Sequence, residues 1–301
     1  MISLKNKNTT ENWLKNESLH YHKDDKGKFI VVGSINFSDK KKNNKNHEKI
    51  LSNISAVSGS IVFDNSESSD NKESKKNPGL DKIAIYSPIK VYGGVYIRNQ
   101  QNLSKVEIIN LKCNFLDISS NSKLKALSVG ANIIDNNKDI NYQNPQFAIS
   151  DLPHLKSVNL NVNNVNFLEV QNCKSLKKIY GQVKGTGNTI YSLGNLHNLE
   201  SIDFIKDKKI SSLAIVDSEK IKGAPFNSEH IDVLMVHGSS SESLTGSDFD
   251  FRSVKSARIM SVSDNSSYNT LILPENLDRA DIKNCPVEKI KHLPKKCCPT
   301  E

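Results

Sequence analysis

The sequence predicts a repeat solenoid, a β-helix-like stack of short parallel strands that is mainly β with few or short helices. Three observations predict it. An apolar phrase recurs from about residue 100 to the C-terminus, and its fullest copy, Leu155-Lys-Ser-Val158-Asn-Leu160-Asn-Val-Asn163-Asn-Val165-Asn-Phe-Leu168, reads L-x-x-L-x-L-x-x-N-x-V-x-x-L. A glycine-containing strand pattern occurs three times before residue 100. A second apolar beat follows the first in the later repeats, roughly ten residues on.

The elements follow in chain order. Residues 1–26 are polar, and Thr10–Leu19 carries Trp13 and Leu14 on one side of a short helix, suited to cover the open end of a first coil. From residue 27 to 99, Val31-Val-Gly33-Ser-Ile35-Asn-Phe37-Ser-Asp39 aligns with Val57-Ser-Gly59-Ser-Ile61-Val-Phe63-Asp-Asn65 and with Val91-Tyr-Gly93-Gly-Val95-Tyr-Ile97-Arg-Asn99. Alternating apolar residues make half-buried strands, the glycine marks a tight bend, and the closing Asn or Asp fits a turn. Ser38–Asn46, Asn65–Pro78, Asp135–Pro145 and Gly238–Asp248 read as loops inserted at coil edges.

Residues 100–296 hold the leucine phrases. They open at Leu103 (Val106, Ile108), Leu124 (Leu127, Val129), Leu155, Leu176 (Ile179), Leu199 (Ile202, Phe204), Ile221 (Ala224, Phe226), Val254 (Ala257, Ile259) and Leu277 (Ala280, Ile282). Most intervals are 21 to 23 residues, and two are longer by roughly ten. The second beat, as in Leu168-Glu-Val170, Leu213-Ala-Ile215 and Leu234-Met-Val236, implies two parallel sheets up the stack. Asn132 and Asn163, between the beats, are placed to satisfy main-chain groups in the bend.

These residues resemble leucine-rich repeats over about residues 100–296, and the glycine-strand coils resemble the receptor L-domain pattern more loosely. The last repeat, Leu273-Pro274-Glu-Asn-Leu277-Asp-Arg-Ala280-Asp-Ile282-Lys-Asn-Cys285-Pro-Val287-Glu-Lys-Ile290-Lys-His-Leu293-Pro294, is similar to the repeat of bacterial effectors delivered by type III secretion. Lys291 stands where that pattern has a Pro, and Ala280 where it has a Leu. Some members of that group carry a C-terminal ubiquitin-ligase domain with a catalytic cysteine. This chain ends at residue 301, directly after the last repeat, so the resemblance implies a repeat-only member that acts by binding a host protein. It also implies secretion into the host cell, with the polar N-terminus as leader.

Composition narrows the classes further. The net charge is +8, and about +6 of it falls in the first hundred residues, in runs such as Lys40-Lys41-Lys42 and Lys75-Lys76. Without interleaved aromatics or a nucleic-acid motif these runs read as solvated loop charge, so no nucleic-acid partner is expected. No apolar run approaches a membrane span, and the N-terminus has no apolar core of a Sec signal peptide. Five cysteines include no C-x-x-C pair, so no zinc site is expected, and Cys113, Cys173 and Cys285 read as small buried residues. His20-Tyr-His22 beside Asp24 and Asp25 lacks two further ligands, and His154, His197, His237 and His292 sit at coil edges or on the surface. The glycines of Gly181-Gln-Val-Lys-Gly185-Thr-Gly187 fall at a repeat bend and not in a phosphate loop. No catalytic residue, metal or cofactor is expected. Cys298-Pro-Thr-Glu301 has the length of a prenylation box beside basic residues, but its Pro-Thr pair and terminal Glu depart from one. Membrane association would run through this tail, residues 297–301.

The functional surface is expected on the exposed sheet face, where the residue between the last two apolar positions points outward. One column is then Glu107, Ser128, Asn159, Tyr180, Asp203, Pro225, Arg258 and Asp281, and the next is Ile109, Gly130, Asn161, Gln182, Ile205, Asn227, Met260 and Lys283. Tyr180, Asp203, Ile205, Arg258, Met260 and Asp281 are the expected partner-binding residues. The expected function is non-enzymatic protein binding in a host cell. The alternatives are an intracellular scaffold of the producing cell, and a β-helix enzyme on an anionic polysaccharide with Asp203, Arg258 and Asp281 in one cleft.

Overall fold

The computed structural model describes residues 4–37, 46–66, 80–134, 145–218, 220–221, 228–238, 248–263, 270–284, 290–291 and 298–299. The chain is a β-solenoid of mostly parallel strands, with two helices among the described residues. It divides into two compact units, residues 1–140 with 146–152, and residues 141–145 with 153–301.

The first unit contains α1 (Leu4–Asn16), β1 (His20–Lys23), β2 (Phe29–Val32), β3 (Ile35–Asn36), α2 (His47–Leu51), β4 (Ile54–Val57), β5 (Ile61–Asp64), β6 (Lys82–Ile85), β7 (Ile89–Arg98), β8 (Lys105–Ser119), β9 (Ala126–Ile133) and β10 (Phe147–Ser150). Trp13 and Leu14 of α1 are buried. The Trp13 ring stacks on Phe37 at 5.3 Å, and Phe37 stacks on Phe63 at 4.8 Å. His47 is buried beside them and accepts the Ala84 N–H through Nε2 at 3.3 Å. His20 and His22 lie exposed on β1, which pairs antiparallel with β2.

Alternating side chains build the core of this unit. Val31, Val57, Val91, Cys113 and Ile133 stack in one inward column through successive parallel pairs. Ile35, Ile61, Val95, Leu116 and Phe147 form a second. All are buried, each worth roughly 1.5–3 kcal/mol relative to exposure for the larger aliphatics. The triple alignment of the glycine strands is therefore realised from Val31 to Phe37 and their counterparts, while Asp39 lies outside the described residues. A third column, Ile83–Val106–Leu127, runs through β6, β8 and β9. The periodicity predicts two ladders per coil, yet β8 enters three. Its ladder breaks between Ile108 and Leu111, where Asn110 has φ +58°, and the short segment Leu111–Cys113 is the beat that sequence periodicity merges with its neighbours.

The second unit contains β11 (Ser157–Gln171), β12 (Lys178–Gly194), β13 (Lys209–Val216), β14 (His230–His237), β15 (Asp248–Asp250), β16 (Ser256–Ser263), β17 (Thr270–Ile272), β18 (Asn276–Lys283), β19 (Ile290–Lys291) and β20 (Cys298–Pro299). Its main inward column is Leu168–Tyr191–Leu213–Leu234–Met260–Ala280, followed two residues on by Val170–Leu193–Ile215–Val236–Val262–Ile282. β15, β17 and β19 form a separate parallel ladder, so the last coils do carry two.

The repeat frame slips at the end. The sequence sets Val254-Ala257-Ile259 against Leu277-Ala280-Ile282, but the strands pair Ala257 with Leu277, Met260 with Ala280 and Val262 with Ile282. Val254 instead closes a turn by donating its N–H to Phe251 O at 3.0 Å. Asn132 and Asn163 are strand residues, and the left-handed bends fall to Asn110 and Asn164. Cys113 and Cys173 are buried as expected, and burial pushes the Cys113 thiol up to about 12. Ala224, Pro225, Phe226, Asn227, Cys285, His292 and Cys297, and most of the inserted loops, lie outside the described residues.

The glycine corner of the first unit is close-packed. The Gly59 N–H donates to Gly33 O and the Gly93 N–H to Gly59 O, both at 2.9 Å. A Cβ on Gly59 would lie 2.7 Å from Gly33 O, and one on Gly93 2.8 Å from Gly59 O. Gly59→Ala and Gly93→Ala each lower stability by about 2 kcal/mol, read as a fall in the urea midpoint. Gly130→Ala, whose added carbon meets nothing nearer than 3.5 Å, leaves that midpoint unchanged or slightly raised.

Candidate binding face

The outer side of the first segments of β11 and β12 is a flat, hydrogen-bonding face. Ser157, Asn159, Asn161 and Asn163 stand opposite Lys178, Tyr180, Gln182 and Lys184. The inward partners Val158, Leu160, Val162, Ile179 and Val183 are buried, which fixes the alternation. Tyr180 is 55% exposed, the most exposed large apolar side chain among the described residues. Gln182 donates through Nε2 to Asn161 Oδ1 at 3.3 Å. Gly181, at φ +86°, lets β12 approach β11, since a Cβ there would lie 2.0 Å from Leu160 O. Neither strand carries a carboxylate on this face.

A buried polar knot supports its far end. Asp207 is buried, accepting the Gly185 N–H at 2.7 Å through one carboxylate oxygen and the Tyr191 O–H at 2.8 Å through the other. Burial, with the adjoining Asp207 carboxylate, drives the Tyr191 phenol pKa far upward, so it stays a donor. The Thr189 hydroxyl donates to Val165 O at 3.1 Å in the same knot. Sequence reasoning missed this group, because nothing in the repeat frame marks Asp207. The available signal was Tyr191, a hydroxyl in an otherwise apolar column, between Leu168 and Leu213.

The expected binding residues do not form one patch. Tyr180 and Asp203 go with the first ladder, Asp203 being exposed in a turn that donates its N–H to Ser201 Oγ at 3.1 Å. Ile205 was expected outside but is 1% exposed. It bridges to buried Val183 and not to Gln182, a one-residue slip that turns it inward after the Asp203–Phe204 turn. Met260 is fully buried because it continues the Leu234 column. Arg258 and Asp281 lie on β16 and β18, in the ladder that continues the last segment of β12.

Several charges on that second ladder are paired within the fold. Arg258 Nε lies 3.5 Å from Asp232 Oδ1, and Asp232 also meets His230 Nε2 at 3.2 Å. Arg279 Nε donates to Asp281 at 2.8 Å, and Lys255 lies 3.5 Å from Glu229. Asp203, Arg258 and Asp281 therefore do not converge in a cleft. Among the described residues no group of three or more His, Cys, Asp or Glu is placed to hold a metal ion. No described helix is long and apolar enough to cross a membrane. Cys298 sits in β20 with its main chain opposite Asp281.

The first unit carries a comparable paired network. Glu107 accepts a short hydrogen bond from the Tyr86 hydroxyl and ion pairs with Lys105 at 2.9 Å and Lys82 at 3.4 Å. Lys82 also lies 3.6 Å from Glu48.

No family model, curated protein or solved structure matches the chain.

The Tyr86 hydrogen bond, then Lys105 and Lys82, holds the Glu107 carboxyl down to about 2 from its ordinary 4.5. A depressed carboxyl stabilises the fold above its unfolded value and loses that contribution as pH falls through the folded one. Glu107→Gln therefore lowers the urea midpoint above pH 4.5, and the difference from the parent chain shrinks as pH drops toward 2. The effect stays below about 1 kcal/mol, because the network is half in solvent.

Proposed function

We propose that the protein is a non-enzymatic, leucine-rich-repeat type binding solenoid that engages a protein partner through a parallel-sheet face, as a bacterial effector delivered into a host cell. The observation that carries the binding reading is Tyr180, an exposed aromatic at the centre of a flat face whose backing residues are fully packed. A tyrosine held on a rigid strand offers large contact area with little entropy to lose, the usual make-up of an interface anchor. The effector setting rests on the resemblance of the last repeat to secreted bacterial repeats. The neighbouring Asn159, Asn161 and Gln182 supply hydrogen bonds around the anchor.

The immobilised chain is expected to retain a specific protein from eukaryotic lysate. Tyr180→Ala weakens that capture by about 30-fold, the effect of removing an aromatic hot spot worth about 2 kcal/mol. Arg258→Ala, on the other ladder, leaves it unchanged. Capture from bacterial lysate alone would assign the protein to the producing cell as a scaffold. Capture that survives Tyr180→Ala would move the site off this face.

A further inference from the structure

The face around Tyr180 differs from the Glu107 network and from the ladder of β14, β16 and β18 in how its charges are used. The Glu107 network and the Asp232, Glu229 and Asp281 pairs compensate their cations internally. The lysines around Tyr180 are not compensated. Lys178 begins the outer row of β12 and Lys184 ends it, six residues or about 20 Å apart. Each has a second lysine beside it. The Lys177 N–H donates to Lys156 O at 2.9 Å, next to Lys178, and the Lys206 N–H donates to Val183 O at 3.1 Å, next to Lys184. Among the described residues none of these five lysines has an ion-pair partner, and all are exposed. The nearby carboxylates on the next coil are Glu200, whose N–H donates to Lys177 O at 3.3 Å, and Asp203. With Asp207 buried beneath the Lys184 end, five cations thus face three anions.

A partner that covers Tyr180 must approach the lysine heads on both sides. A neutral or basic partner strips their hydration with nothing in return, while an anionic one gains Coulomb energy and is steered in from a distance. We propose that the bound partner presents an extended acidic peptide segment to this face, with carboxylates at the two lysine ends and main chain over the amide rows between them. This rests on the protein-binding reading above. The middle of the face decides for a peptide. Asn159, Asn161 and Gln182 each offer a donor and an acceptor, matching the N–H and C=O of a main chain. A nucleic-acid strand would bring a phosphate at every nucleotide and bases to stack, which asks for a continuous cationic track and several aromatics. The outer rows of these two strands provide one ring, no arginine, and lysines only at the ends.

The test uses the full chain and a fluorescein-labelled peptide of alternating Glu and Gly, followed by fluorescence anisotropy. The intact protein is expected to bind it, and to bind more weakly as salt rises from about 50 to about 200 mM. Lys178→Glu/Lys184→Glu weakens binding by about tenfold or more, while Lys178→Arg/Lys184→Arg and Arg258→Glu bind as the parent does. Circular dichroism checks that each variant keeps its strand signal. No binding by the intact chain, no loss in the charge-reversed variant, or equal binding of a Lys–Gly peptide or oligothymidylate overturns the proposal. The captured protein separates the two levels. A partner lost with Tyr180→Ala but kept by Lys178→Glu/Lys184→Glu sinks the acidic segment and leaves protein binding standing. One kept by Tyr180→Ala removes the protein-binding reading at this face.

Discussion

A parallel stack holds only if every coil turns its main chain at the same place, and here that place is a left-handed corner. Asn99, Ser120 and Asp151 in the first unit have φ of 55–56°, and Asn172, Asn195 and Asp217 in the second have φ of 54°, 53° and 47°. Such a conformation costs most L-residues about 1–2 kcal/mol, and Asn and Asp tolerate it best because their short polar side chains bond locally. The corner N–H then reaches a carbonyl of the next coil from Asn172 to Gly194, Asn195 to Val216 and Asp217 to His237, all at 3.0 Å. The residue after the corner turns inward, giving the buried set Gln100, Asn121 and Leu152 in one unit and Cys173, Leu196 and Ser218 in the other. Three residues later the opening apolar residue donates back, as Leu103 does to Gln100 and Leu176 to Cys173. With the corner and its turn aligned, the apolar columns have one register available.

That dependence explains which parts of the fold could be read from the chain. The glycine strands and the phrases at Leu103, Leu124, Leu155 and Leu176 keep a constant distance between corner and strand, and their observed pairings match the sequence alignment. Past Leu199 the distance changes. The strand beat around Ile202 becomes a turn, and a slip of one residue carries Ile205 from the outer row to the core. At Leu277 the slip is three residues, which places Met260 under Ala280 inside the stack. A leucine frame records which residues are apolar, but not how many residues a corner consumes. Tyr180 survived as an exposed residue because it lies in the regular part of the repeat. Arg258 and Asp281 are outward too, but on a different ladder from Tyr180.

The polar residues inside the stack obey the same corner logic. Gln100 receives nothing from solvent, so its N–H goes to Asn121 Oδ1 at 2.9 Å, and Asn121 returns a hydrogen bond to Ile97 O at 2.9 Å. Ser218 serves the equivalent corner of the second unit by accepting the Leu196 N–H at 3.2 Å. These buried groups are satisfied along the stack axis, between coils, so each coil depends on its neighbour for polar as well as apolar partners. The Asp207–Tyr191–Gly185 knot extends this to the bulge after Lys184, where β12 leaves the regular ladder.

Rigidity of this kind gives the outer face its meaning. Stacked strands hold their outer side chains at fixed spacing, so charges in adjacent rows either pair with each other or stay solvated and open to a partner. On β14, β16 and β18 several of them pair with each other, which leaves less uncompensated charge there for a partner to meet. Around Tyr180 the lysines hold no such pairs, and the amides between them are exposed or half-exposed. An interface formed there breaks no existing ion pair and orders no loop, because the strands beneath are already fixed. A face that is pre-ordered, aromatic at its centre and uncompensated at its ends meets the requirements of the binding reading proposed above, and the proposed acidic segment matches the charge at its two ends.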